Sequence, residues 1–212
     1  MKKTKNTKKQ LLEATLTLIS EKGYLRATTR EIAQKAGVTE LTLFRHFGSK
    51  ERLFEELLNG YTFLPRLKEL LPELEGLSYE RSLEIIATRF LLTLKERKAM
   101  IKIMYSEVTI YPEKIRAIYN RFVDEMRGTM AGFFENMQKR GIMRRNSPEM
   151  AARVFLWILI SYFRSEEIMR PGSMKKETME MNVQEIIDIF MHGTLNKRSD
   201  LSYTGRTAHE RL

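Results

Sequence analysis

Apolar residues recur three and four apart along almost the whole chain, and Ser, Thr, Pro and Gly punctuate the runs. That period lays one apolar stripe along a helix, whereas a half-buried strand needs strict alternation. Leu83, Ile86, Ala87, Phe90, Leu91 and Leu94 form one such stripe. Ile115, Ile118, Tyr119, Phe122, Met126, Met130, Phe133 and Met137 form a longer one, opened by Pro112 and closed by Gly141. No long β-branched alternating run competes, so the fold class is all-α, with about nine helices. Apolar residues make up 42% of the 212, enough to fill a core.

The punctuation locates the helices. Thr7-x-x-Gln10 and Thr28-x-x-Glu31 have capping-box form. Thr39, Ser49 and Ser78 are further N-cap candidates, and Ser147-Pro148-Glu149 combines an N-cap, a first-turn proline and an acid. Gly23 and Gly37 are placed to end helices. Pro65, Pro72 and Gly76 mark 64–76 as a broken connector. The expected organisation is an N-terminal unit over 1–63, a helical bundle over 64–196 and a flexible polar tail over 197–212.

Charge is unevenly placed. The net charge is +10, and residues 1–50 hold eight Lys and three Arg against four Glu, which is +7 of it. A basic end points to a polyanionic partner, nucleic acid or an anionic membrane surface, or else to a solvated face. No cysteine is present, which excludes disulfides and thiolate metal sites. The basic start has no signal-type apolar segment behind it, and 151–163 is too short to cross a bilayer, so a soluble cytoplasmic protein is expected.

Within the basic end, TTREIAQKAGVTELTLFRHF (28–47) places two short helical patterns around Gly37-Val38-Thr39. That is the form of a helix-turn-helix, with reader segment 28–47. Ile32, Val38, Leu43 and Phe47 are expected to point inward, and small Ala33 lets the helices cross closely. Glu40, Leu41, Thr42, Arg45 and His46 lie on the other side, where they can meet base edges or phosphates. Lys50 falls at the first position of the next helix, whose free N–H groups favour an anion.

Gly23-Tyr24, Ala27-Thr28-Thr29, Glu31-Ile32-Ala33, Ala36-Gly37-Val38, Thr42-Leu43-Phe44-Arg45-His46-Phe47 and Ser49-Lys50-Glu51 together resemble the DNA-binding domain of the TetR (tetracycline repressor) family of bacterial transcription regulators. The resemblance covers residues ~5–63. It implies a sequence-specific DNA-binding regulator, in most members a repressor, that acts as a homodimer on a palindromic operator. It also implies a C-terminal effector pocket and dimerisation through the last two helices. By position, Thr28, Thr29, Thr42, Phe44, His46 and Lys50 correspond to backbone contacts, and Arg30, Thr39, Glu40, Leu41 and Arg45 to variable base contacts. Phe44 stands where the family more often has Tyr, and Leu41 where it frequently has Gly.

The C-terminal half is rich in Met and aromatic residues, which suit either a core or an adaptable pocket. Candidate lining residues for a small, hydrophobic or amphipathic effector are Phe90, Met100, Met104, Tyr105, Phe122, Met126 and Trp157. The helix from Ser147 is apolar almost all round and, with the helix ending near Leu195, is the candidate dimer interface. Enzymatic chemistry has little support: the three histidines are His46, His192 and His209, no phosphate-binding glycine pattern occurs, and Asp188–His192 lacks a third metal ligand. No cofactor or metal is expected. The alternatives are a constitutive architectural DNA-binding protein and a membrane-surface module built on the basic first helix.

Overall fold

The computed structural model describes residues 2–195. The predicted polar tail at 197–212 lies outside them. The helices are α1 (Lys2–Arg26), α2 (Thr29–Lys35), α3 (Glu40–Phe47), α4 (Lys50–Tyr61), α5 (Phe63–Glu73), α6 (Tyr79–Glu96), α7 (Lys98–Glu107), α8 (Glu113–Lys139), α9 (Pro148–Phe163) and α10 (Lys176–Thr194). Among the described residues the sole β feature is an isolated bridge between Met143 and Leu195.

By packing, the described residues form two compact units, one of residues 2–66 with 93–124, the other of 67–92 with 125–195. These cut across the sequential division expected from the sequence, because α7 and the start of α8 pack with the N-terminal helices. In the first unit, Leu11, Ala14, Leu18 and Ile19 of α1 share a core with Ile32, Ala33, Leu43 and Phe47, with Leu53, Phe54, Leu57 and Leu58 of α4, and with Met100 and Met104 of α7. The second unit is centred on three aromatic rings. Phe155 of α9 lies 5.9 Å from Phe134 of α8 and 5.1 Å from Phe190 of α10, and Phe134 lies 5.6 Å from Phe190. Such tilted and edge contacts add to the area each ring buries.

Local chemistry explains most helix ends. The Thr28 hydroxyl accepts from Glu31 N at 3.2 Å, and Glu31 Oε2 accepts from Thr28 N at 3.0 Å, a complete capping box. Ser49, Ser78 and Ser147 cap α4, α6 and α9 in the same way, each accepting from the amide three residues on. Gly37 turns the chain at φ 70°.

Two expectations need correction. Thr7 does not cap α1, which begins at Lys2 and carries Thr7 in its interior. Segment 64–76 is not a broken connector, since most of it belongs to α5. Pro65 lies in the first turn, where a missing N–H costs nothing, and Pro72 lies in the last, so neither interrupts the buried stripe Phe63, Leu64, Leu67 and Leu70. On α9, Ala152, Phe155, Leu159 and Phe163 are buried, while Met150, Val154 and Trp157 are exposed. Its path also continues past Phe163 as a π turn over Arg164–Met169.

The α2 cap has a second layer. Lys22 Nζ donates to Glu31 Oε1 at 2.6 Å, and the Thr28 hydroxyl donates to Oε2 at 2.7 Å. The bond from Lys22, then those from Thr28, lower the Glu31 carboxyl from near 4.5 to about 2. Because the folded value is depressed, its stabilising effect is complete above the unfolded value and is lost as pH falls through the folded one. Thr28→Ala should lower unfolding free energy by about 1 kcal/mol, measured by urea titration at neutral pH. In the same assay, the stability gap between the parent and Glu31→Gln should be widest above about pH 4.5 and close as pH falls towards about 2.

Candidate nucleic-acid interface

The first unit presents α3 as a short helix anchored on one side and open on the other. Leu43 and Phe47 are buried in the core, and Val38 packs against it, as the sequence requires. Thr39 caps the helix: its hydroxyl accepts from Thr42 N at 3.3 Å and lies 2.9 Å from the Thr42 hydroxyl. With the helix fixed from behind, Leu41 stands 73% exposed and Phe44 42% exposed, and Arg45 is exposed beside them. Leu41 offers an apolar tip suited to a thymine methyl, and Arg45 a planar donor fork suited to guanine or a phosphate.

The flanking candidates are also at the surface or half-buried. Thr28 and Arg30 are exposed, and Thr29, Glu40, Thr42 and His46 are half-buried. The Thr29 hydroxyl donates to the Glu40 carboxylate, tying the start of α2 to the start of α3. A groove of about 370 Å³ runs beside α3 and is lined by Phe44, Arg45, His46, Gly48, Arg52 and Asn59, among others. Arg52 was not among the sequence candidates; its signal was its place in the first turn of α4, two residues after Lys50.

Lys50 occupies the first position of α4, as expected. Its ammonium lies 4.2 Å from the centroid of the Tyr24 ring, which gives it a cation–π seat. Burial pushes its pKa down, and the carboxylates of Glu51, Glu107 and Glu31 oppose that shift. The charge is therefore held at a helix N-terminus, where the free N–H groups already favour an anion.

The effector candidates are more scattered. Met100 and Met104 are core residues of the first unit, and Phe122 packs against that core. Tyr105, also on α7, is 42% exposed. Phe90 and Met126 are buried in the second unit, whereas Trp157 is 61% exposed on α9, with the Arg153 guanidinium 5.5 Å from its ring. An open groove of about 510 Å³ in the second unit is lined by Leu70, Leu74, Leu77, Ile85 and Val183 with Arg81, Arg89 and Glu180, among others, and by none of those seven. Sequence reasoning passed over it because Leu70 and Glu73 of its wall lie on α5, a segment that its prolines disguised.

Among the described residues, no three His, Asp or Glu side chains come together to hold a metal, and no helix is long and apolar enough to cross a membrane. His192 Nδ1 lies 2.8 Å from the Asp188 carbonyl oxygen and 3.3 Å from its carboxylate, an exposed pair on α10.

Comparison with known proteins agrees with this geometry. Residues 11–57 match the family model of bacterial regulatory proteins of the tetR family, and residues 81–193 match that of the AefR-like transcriptional repressor C-terminal domain. The HTH-type transcriptional regulator YvkB of Bacillus subtilis (strain 168) is 32% identical over 157 residues, which span 74% of this chain and 81% of YvkB. The HTH-type transcriptional repressor KstR2 of Rhodococcus jostii (strain RHA1) is 27% identical over 162 residues, spanning 73% and 78%. Among solved structures, NalD of Pseudomonas aeruginosa superposes with a TM-score of 0.70 at 21% identity, covering 92% of this chain and 99% of NalD, which speaks to the fold. An exposed, capped second helix on a basic three-helix core, matched by family models across both halves of the chain, makes this protein a DNA-binding transcriptional regulator of the TetR family.

Proposed function

We propose that this regulator is a homodimeric repressor that reads a palindromic operator with α3 and releases it when a small, largely apolar effector binds its C-terminal bundle. The observation that carries the reading is the open face of α3, where Leu41 and Arg45 project from a helix fixed from behind by Leu43 and Phe47. Residues 1–63 form the reading domain and 64–196 the effector and dimer domain. Thr28, Thr29, Thr42, Phe44, His46 and Lys50 meet the DNA backbone, and Arg30, Thr39, Glu40, Leu41 and Arg45 face the bases. The repressor sense is supported by the match of 81–193 to a repressor C-terminal domain and by the likeness to KstR2. Its place of action is the cytoplasm, where the operator is.

The uncovered side of α9 and α10 supports the dimer. Met150, Val154 and Trp157 lie on one face of α9 at helical spacing, and Met181 and Ile189 are 60% and 70% exposed on α10. An apolar face of this kind on each copy, brought together about a two-fold axis, gives a four-helix interface. Two α3 helices then sit about one DNA turn apart, ~34–36 Å, in successive major grooves. An effector that alters this separation needs a coupling of only about 1–3 kcal/mol.

Selection of bound fragments from random duplex DNA at about physiological salt tests the reading, because charge alone does not dominate there. A palindromic winner with half-sites one turn apart is expected; purely salt-sensitive binding without enrichment would leave only a general polyanion surface. On the selected site, Lys50→Ala should weaken binding to all sequences and reduce the salt slope by about one. Arg45→Ala should instead relax preference at one position of each half-site, read by repeating the selection. Trp157→Glu should shift the protein towards monomer in sedimentation analysis and weaken operator binding at least tenfold at the same chain concentration.

A further inference from the structure

Within α1 the backbone leaves helical geometry at Gly23, with φ 86° and ψ 168°. The break turns the chain towards Ala27 and the α2 cap, and Ala27 N donates back to Gly23 O at 3.2 Å. Tyr24 N is left pointing away from the helix. Its partner is remote in sequence: Glu107 at the end of α7, whose Oε2 accepts from Tyr24 N at 2.8 Å.

The fit depends on glycine. A side chain at position 23 would place its Cβ 1.9 Å from Glu107 Oε1, so the carboxylate fills the space that the missing side chain leaves. The Tyr24 ring is buried between Phe54 of α4, at 4.8 Å, and Tyr111, at 6.0 Å. Its face carries the Lys50 ammonium. One backbone position thus sets two parts of the DNA-facing surface, the seat of Lys50 and, four residues on, the Thr28 cap of α2.

We propose that Glu107 is a positioning residue for DNA binding: by holding Tyr24 N–H it closes the break in α1 and keeps Lys50 and the α2 N-terminus in register with the phosphates. A displacement of α7 that withdraws this carboxylate then releases the DNA-facing surface without touching α3. The inference rests on the reading of Lys50 and Thr28 as backbone contacts and assigns that surface a control point on α7. It runs against simple electrostatics, since deleting an acid from a basic protein otherwise strengthens binding to DNA.

The test uses the full chain and its selected operator. Glu107→Ala should lower operator affinity at least tenfold, reduce the salt slope by about one, and speed exchange of the Tyr24 amide at least tenfold while melting stays cooperative. Glu107→Gln keeps an oxygen acceptor and should stay within threefold of the parent, or bind more tightly. Parent-like affinity and slope in Glu107→Ala, or weaker binding with an unchanged slope and a protected Tyr24 amide, would overturn the assignment. If the alanine variant does not melt cooperatively, Glu107→Asp repeats the test with a retracted carboxylate; faster Tyr24 exchange and a lower slope support the role, and parent-like values overturn it. A parent that selects no DNA site would instead refute the operator reading, while Tyr24 exchange would still report on the contact itself.

Discussion

The break at Gly23 is the constraint on which the DNA-facing unit depends. A straight α1 would carry the chain past its own core. The positive φ at Gly23 instead returns it to Ala27, which is fully buried, and Thr28 opens α2 immediately afterwards. From there each step is short. The capping box fixes the start of α2, Gly37 turns the chain, and Thr39 fixes the start of α3. Leu43 and Phe47 then clamp α3 to the core, so its outer residues need no support from elsewhere. Binding side chains carried on so constrained a helix lose little freedom when they meet a ligand.

The basic excess and the exposed apolar faces of α9 and α10 lie in different parts of the chain. The basic excess lies in the first fifty residues, where Arg30 and Arg45 are exposed. The large exposed apolar side chains of α9 and α10 lie in the second unit. In the proposed dimer the self-associating face is then separate from the basic segment, whose like charges would repel across an interface between copies.

Much of this was legible because the signals are local. Thr28-x-x-Glu31, Thr39, Ser49, Ser78 and Ser147 act within three residues, so their caps are readable from spacing alone. The same is true of the stripe along α8, whose Ile115, Ile118, Met126, Met130, Phe133 and Met137 are all buried. The α5 helix was hidden because counting prolines ignores where in a helix each one falls. The side of α9 left open was hidden because periodicity reports how apolar a helix is, not which side its own fold covers. Lys50 was placed correctly on its helix, but its seat on Tyr24 is a tertiary contact across 26 positions. Glu107 gave no sequence signal at all, since its role depends on a glycine 84 residues away that leaves room for it.

The most direct test of a helix-turn-helix reading through α3 is interference footprinting on the selected operator, with guanine N7 methylation and phosphate ethylation probed separately. Two patches of major-groove interference about one helical turn apart, each flanked by blocked phosphates, are the expected result. Phosphate interference without any major-groove pattern would contradict it, because the α3 face would then touch the duplex without reading it.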